Sequence, residues 1–264
     1  MADLPIDQRM LDFYHGSYDE AARLRVEAHG RLEFVRTMEL LRRALPRAPA
    51  SLIDVGGGPG TYAKVLAGDG YRVRLIDPVP RHVAEASAHG TFTAELGDAR
   101  RLEACDQSFD AALLLGPLYH LLEQDDRLQA LREARRVVKP GGLVAVAAIS
   151  RHAPLLDYAA TRRLDSSVAE RWRSIHATGR HDPSLGFTTA YMHTVAGFRD
   201  EMAAAGFDDF DVFGVEGPMW TVVDALQDAL IAERFDMAVQ TARLLESDPE
   251  IIPCSAHFLA VARC

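Results

Sequence analysis

The sequence predicts an α/β protein built on a doubly wound, mostly parallel sheet, and three observations predict it. Residues Ser51 to Gly60, SLIDVGGGPG, read as a short buried strand that runs into a glycine turn, with helical spacing resuming at Thr61. Strand-like and helix-like stretches then alternate as far as Ile149, which calls for parallel strands joined by right-handed helical crossovers. The alternation breaks after Ser150 and resumes near Val195, so a segment rich in Arg, His, Ser and Asp interrupts the sheet pattern.

In chain order, residues 1–50 form an amphipathic helical arm or lid. Leu24, Ala28, Leu32, Val35, Met38 and Leu41 keep a loose helical rhythm there until Pro46 and Pro49 break it. The core, residues 51–150, holds strands at 51–55, 72–76, 91–95, 109–115 and 143–149, with helices at 61–67, 81–88 and 127–138. Lys139-Pro140-Gly141-Gly142 is expected to stop the third of these helices and reverse the chain. Residues 151–190 read as a helical cap insertion with short helices around 157–164 and 168–175. Residues 191–264 return to the core with a helix over 195–205, a strand over 207–215, helical stretches across 219–246 and a final strand over 256–263. The last two strands form a hairpin-like pair that adds an antiparallel edge.

The 264 residues are 48% hydrophobic, ample for a core. With 29 basic against 38 acidic residues the net charge is −9, which argues against a nucleic-acid partner. No window approaches the roughly 18–20 apolar residues needed to span a bilayer, and MADLPIDQRM has no basic-then-apolar leader, so a cytoplasmic location without a membrane partner is expected. Cys105, Cys254 and Cys264 are too far apart for a metal knuckle, and an odd number gives no disulfide framework.

The glycines fail the dinucleotide pattern G-x-G-x-x-G in either frame, since Thr61 or Ala63 stands where the last glycine should be. What fits is D-x-G-x-G-x-G, read as Asp54, Gly56, Gly58 and Gly60. An acid inside the strand suits a ligand with cationic groups better than a pyrophosphate. Here the sequence resembles the class I S-adenosylmethionine-dependent methyltransferases, whose first motif is this acid and glycine series. The fold class is then α/β: a Rossmann-like, doubly wound, seven-stranded, mostly parallel sheet with an antiparallel last strand, an N-terminal helical arm and a helical cap insertion.

The resemblance covers residues 50 to 150 and implies S-adenosylmethionine as cofactor. Asp77, about twenty residues past the first glycine and followed by Pro78, would accept from the ribose hydroxyls, although a strand-ending Asp before a turn is the structural alternative. Asp98 and Ala99 would meet the adenine amino group, and Leu115 and Gly116 the methionyl ammonium. In the arm, Tyr14, Tyr18 and Arg23 resemble a segment that covers the cofactor and meets its carboxylate, against the plainer reading of tyrosines packed on a helix. Glu216-Gly217-Pro218-Met219-Trp220 and Ser255-Ala256-His257 resemble elements of a small-molecule subgroup, with His257 itself read as a core or edge histidine.

The implied chemistry is direct in-line displacement of a methyl group, which needs orientation, desolvation and sometimes a base. His120 is the first candidate for that base and also borders the cofactor; His193 is the second, on the expectation of a pKa near neutrality. Tyr14, Tyr18, Tyr191, His193 and Trp220 are candidates for the acceptor pocket. No Ser-His-Asp spacing, H-E-x-x-H or compact metal-ligand cluster is visible, so no metal is expected. The expected partner is a small-molecule methyl acceptor, and the protein a monomer or homodimer. Three alternatives use the same sheet: a nucleotide-dependent oxidoreductase, a methyltransferase of tRNA or protein, and a non-catalytic cofactor-binding scaffold. Against the second, the fourth strand leads into Gly116-Pro117-Leu118-Tyr119 rather than an N-P-P-Y-type tetrapeptide.

Overall fold

A computed structural model describes residues 6–16, 20–225 and 228–264. Among the described residues the arm forms three helices, α1 (Gln8–His15), α2 (Glu20–Val26) and α3 (Ala28–Ala44), rather than one continuous rhythm. The Asp7 side chain caps α1 by accepting from the Arg9 N–H, and Gly16 ends it. The core follows as β1 (Ser51–Val55), α4 (Thr61–Gly68), β2 (Arg72–Asp77), α5 (Pro80–Ser87), β3 (Thr93–Leu96), β4 (Phe109–Leu114), α6 (Pro117–His120), α7 (Gln124–Val137) and β5 (Val138–Ile149). Asp125 and Asp126 in the first turn of α7 and Arg135 and Arg136 in its last turn oppose the helix dipole.

The next segment forms α8 (Ala153–Ala160) and α9 (Ser166–Thr178). The helix α9 is capped by Asp165, which accepts from Ser167 and Val168, and it ends at Gly179 in the left-handed region. Then come α10 (Val195–Ala204), β6 (Phe210–Gly214), α11 (Trp220–Ala225), α12 (Asp228–Leu245) and β7 (His257–Arg263).

The sheet has seven strands in the order β3-β2-β1-β4-β5-β7-β6. All neighbours from β3 to β5 are parallel, whereas β7 runs antiparallel to both β5 and β6. The last strand is thus the antiparallel one, and it lies inside the sheet rather than at its edge. Alternation along the strands sorts the core into two layers. Ile53, Val55, Leu114, Val146 and Phe258 face α7 and α10, while Leu52, Leu113, Ala145 and Leu259 face α3 and α4.

Two local expectations are corrected. Helix α7 stops at Val137 because Val138 already pairs with Phe109; β5 therefore begins five residues before the expected Leu143. Lys139 to Gly142 is a bulge within that strand, with Gly141 at φ +75° donating its N–H to the Cys264 carbonyl at 2.6 Å, and the register resumes at Ala111–Leu143. The first helix after Ser150 starts at Ala153, four residues before the expected 157, with Pro154 in its first turn.

Buried ion pairs fasten outlying helices to the sheet. Arg36 on α3, fully buried, meets Glu39 and Glu246 and donates to the Val215 carbonyl. Arg127 on α7 pairs with Glu201 on α10 at 2.7 Å.

Candidate active site

The carboxyl ends of β1, β2 and β4 open onto a cavity of about 340 Å3. Its floor is the glycine loop. Gly56, at φ +67°, donates to the Ile76 carbonyl, and a side chain there would strike Pro117 at 2.7 Å. Gly58, at φ +58°, faces open space, with only the His82 ring within 4.0 Å of where a Cβ would stand. Gly60 is no part of the cavity wall: it caps α4 in the left-handed region and packs against Phe92.

Asp77 holds this loop in shape. Its carboxylate accepts from the Gly58 N–H at 2.8 Å and the Val79 N–H at 2.9 Å, and His82 Nδ1 lies 3.2 Å away. Asp54 is different, because it is 1% exposed and neither carboxylate oxygen has a hydrogen-bond partner among the described residues. Burial, and then the charge of Asp77, push its pKa up to about 7. An orphaned buried carboxyl facing a cavity is a vacant partner for a cationic ligand.

Pro78, Ala99, Leu115 and Gly116 line the same cavity. Asp98 also lines it, but its carboxylate is already held by Arg100, at 2.6 Å, and Arg100 reaches on to Asp126 at 3.0 Å.

The arm closes one side. Met10 and Tyr14 from α1 and Arg23 from α2 line the cavity. Tyr14 Oη lies 3.0 Å from His120 Nε2, and Arg81 donates to the Gly16 carbonyl at 2.8 Å, tying the end of α1 to α5. Tyr18 lies outside the described residues. The Arg23 guanidinium sits between Glu20, at 2.7 Å, and Glu33, at 2.5 Å, so it reaches the cavity already paired. His120 lines the cavity, yet burial pushes its pKa down to about 4, so it is a neutral imidazole at pH 7 rather than the near-neutral base expected.

A second cavity of about 330 Å3 adjoins the first and shares Tyr14, Glu20, Arg23 and Tyr119 with it. Ala153, Asp157 and Tyr158 of α8, then His181 and Phe187, form one wall, and Trp220, His29 and His257 form another. Trp220 donates its indole N–H to the Cys254 carbonyl and stacks on His29 with centroids 4.9 Å apart.

The other two acceptor candidates line neither cavity. His193 is 1% exposed, its Nε2 lies 3.1 Å from Glu201, and burial lowers its pKa. Tyr191 lies with its ring 3.6 Å below the Arg127 guanidinium. Both belong to the packing between α7, α10 and the chain after α9.

Residue spacing gave no sign of several neighbours. His82 sits on Asp77; Tyr119 lies between the cavities. Four residues from three separate parts of the chain, His29 and Glu33, Glu216, and His257, meet beside the second cavity with one donor atom of each within 4.8 Å of the others. Only the pairing of β6 with β7 could have joined the last two.

Residues 53–146 match the family model for the methyltransferase domain. The chain is 33% identical over 104 residues to the ubiquinone/menaquinone biosynthesis C-methyltransferase of Rubrivivax gelatinosus, covering 39% of this chain and 40% of that protein. It is 35% identical over 115 residues to the ubiquinone biosynthesis O-methyltransferase of Methylobacterium nodulans, covering 42% and 45%. The match thus spans less than half the length of these relatives. In fold, it resembles the S-adenosylmethionine-dependent methyltransferase of Mesorhizobium loti, with a TM-score of 0.58 and 20% identity over 88% of this chain and all of that one. Its sheet order, its acid and glycine loop and the 53–146 match together support a class I S-adenosylmethionine-dependent methyltransferase domain in this chain.

Proposed function

We propose that this chain transfers a methyl group from S-adenosylmethionine to a small organic acceptor held in the second cavity. The observation that carries the reading is the pair of adjoining cavities: one walled by the glycine loop with Asp54, Asp77 and Asp98, the other walled by aromatic rings, with Tyr14 and Tyr119 at their junction. Asp54 fits the cofactor because its orphaned carboxylate can receive an ammonium group. Asp77 would meet the ribose, Ala99 and Asp98 the adenine, and Leu115 and Gly116 the amino-acid end, beside the remaining donor of Arg23. When bound, the cofactor supplies an electrophilic methyl on a cationic sulfur. The protein's share is placement and exclusion of water.

Residues 151–190 serve as a cap over the acceptor. The arm is tied to the end of that segment through Phe13 against Phe187, ring centroids 5.6 Å apart, and Thr189 Oγ1 to Asp7, 2.6 Å. His120 and Tyr14 form a hydrogen-bonded pair at the cavity junction, where a neutral imidazole can hold or accept a proton passed from the acceptor through the phenol.

The test has two steps. Calorimetry should show binding of S-adenosylmethionine and S-adenosylhomocysteine, and a panel of phenols, carboxylic acids and amines is then assayed for release of S-adenosylhomocysteine. Binding of neither compound refutes the reading; binding without turnover of any acceptor class favours the scaffold alternative.

A further inference from the structure

We propose that His29, Glu33, Glu216 and His257 form a binding site for one divalent first-row cation of the Zn2+, Mn2+ or Fe2+ type. His29 and Glu33 stand four residues apart on one face of α3, Glu216 lies just past β6, and His257 opens β7. The antiparallel ladder pairs Gly214 with Phe258, which brings the last two together.

Three of the donor-to-donor distances are 3.7 Å for His29 Nε2 to Glu216 Oε1, 3.9 Å for His257 Nδ1 to Glu33 Oε2, and 2.5 Å for His257 Nδ1 to Glu216 Oε1. A tetrahedral site with bonds of about 2.1 Å has donors about 3.4 Å apart, so these distances bracket the requirement and side-chain shifts of less than an ångström would meet it. Two imidazoles with two carboxylates suit a borderline cation rather than Ca2+ or Mg2+, which take oxygen ligands.

The ligands are also held from behind. Glu216 is 0% exposed; its Oε2 accepts from Ser255 Oγ at 2.8 Å and from the His257 N–H at 2.9 Å, which leaves Oε1 turned toward the two histidines. Arg23 orients Glu33, and the Trp220 ring lies over His29. Two buried carboxylates side by side need nearby positive charge. In the metal-free form, a proton between His257 and Glu216 takes part of that role, and a cation would displace it. His29 and His257 line the second cavity, so a fifth coordination position, added to the four protein donors, would face that space. If the proposed methyl transfer holds, an acceptor bearing an oxygen or nitrogen donor could bind there directly.

The inference is tested without activity. The full chain is stripped with a chelator, desalted, and titrated at neutral pH with Zn2+, Mn2+ and, anaerobically, Fe2+, and bound metal is counted by mass spectrometry. One equivalent of at least one cation should bind, and Glu216→Gln and His257→Ala should each weaken it at least tenfold with S-adenosylmethionine affinity unchanged. If either variant is unfolded by circular dichroism, His29→Ala, whose side chain is 23% exposed, replaces it, read by loss of the visible absorption of the Co2+-loaded protein. No stoichiometric binding of any of the three cations, or unchanged affinity in the folded variants, overturns the proposal. Metal binding without S-adenosylmethionine binding would sink the methyltransferase reading and leave this site standing, and the converse would sink this site alone.

Discussion

Asp54→Asn should stabilise the ligand-free protein at pH 8 while weakening its cofactor binding. In the folded chain burial, followed by the Asp77 charge, raises the Asp54 carboxyl from 3.8 to about 7. Between those two pH values the folded state keeps a proton that the unfolded chain releases. The stability associated with that proton is therefore complete below about pH 4 and is lost as pH rises through 7. The gap corresponds to roughly 4 kcal/mol. Asn has nearly the same shape and cannot ionise, but its amide is left unpaired at a cost of about 1–3 kcal/mol. The net gain at pH 8 is then about 1–3 kcal/mol, a Tm rise of several degrees for a chain of this size. At pH 5 the native Asp54 is already protonated and the gain disappears. Thermal melts of both proteins at pH 5 and pH 8, without ligand, measure it; a difference in Tm that does not grow with pH would refute the reasoning. In calorimetry the variant should bind S-adenosylmethionine at least tenfold more weakly. Wild-type affinity should also fall about fivefold from pH 7 to pH 6 if only the carboxylate form binds.

Asp77→Ala removes the acceptor for the Gly58 and Val79 N–H groups, and should cost at least tenfold, about 1.4 kcal/mol, in cofactor affinity by calorimetry; an unchanged value removes Asp77 from the site. His120→Ala should leave that affinity within about threefold, or 0.6 kcal/mol, and abolish most release of S-adenosylhomocysteine, so a fully active variant would end its assignment. With His120 held near 4, no rise in rate around pH 6.5 should trace to its deprotonation, which a rate profile across pH 5–8 in wild type and variant would reveal. Glu201→Gln leaves the buried Arg127 without its charge partner; urea titration should show a loss of about 3–5 kcal/mol with cofactor affinity intact, and a loss under about 1 kcal/mol would mean that Arg127 finds another acceptor.

The cofactor side of the site was legible because its parts follow one another along the chain. A strand, a glycine turn and a strand-ending acid recur in the order that a parallel sheet demands, so Asp54, Gly56, Gly58, Asp77 and Gly116 fall at neighbouring strand ends whatever packs around them. Where the chemistry depends on which face a side chain takes, residue type misleads. His193 suits the role of a base, yet the one-residue parallel bridge from Ser150 to His193 turns it toward Glu201 and Arg127 and away from both cavities. Trp220 is brought to the second cavity, but with its indole N–H already spent on the Cys254 carbonyl, so it offers an acceptor only its ring.

The second cavity could not be read in the same way, since α3, α6, α8, the chain after α9, Trp220 and the start of β7 all contribute to it. Its decisive step is the insertion of β7 between β5 and β6. A strand added at the edge would have left His257 on the rim, as a core or edge histidine. Placed inside, it meets Glu216 from the end of β6 on one side and α3 on the other, and its imidazole, raised to about 9 by Glu33 and Glu216 against its burial, becomes a buried cation among carboxylates. The same topological choice that makes the last strand antiparallel thus assembles the charged cluster beside the second cavity. On the proposed reading, the choice of acceptor should accordingly track the His29 and His257 side of the second cavity rather than the glycine loop.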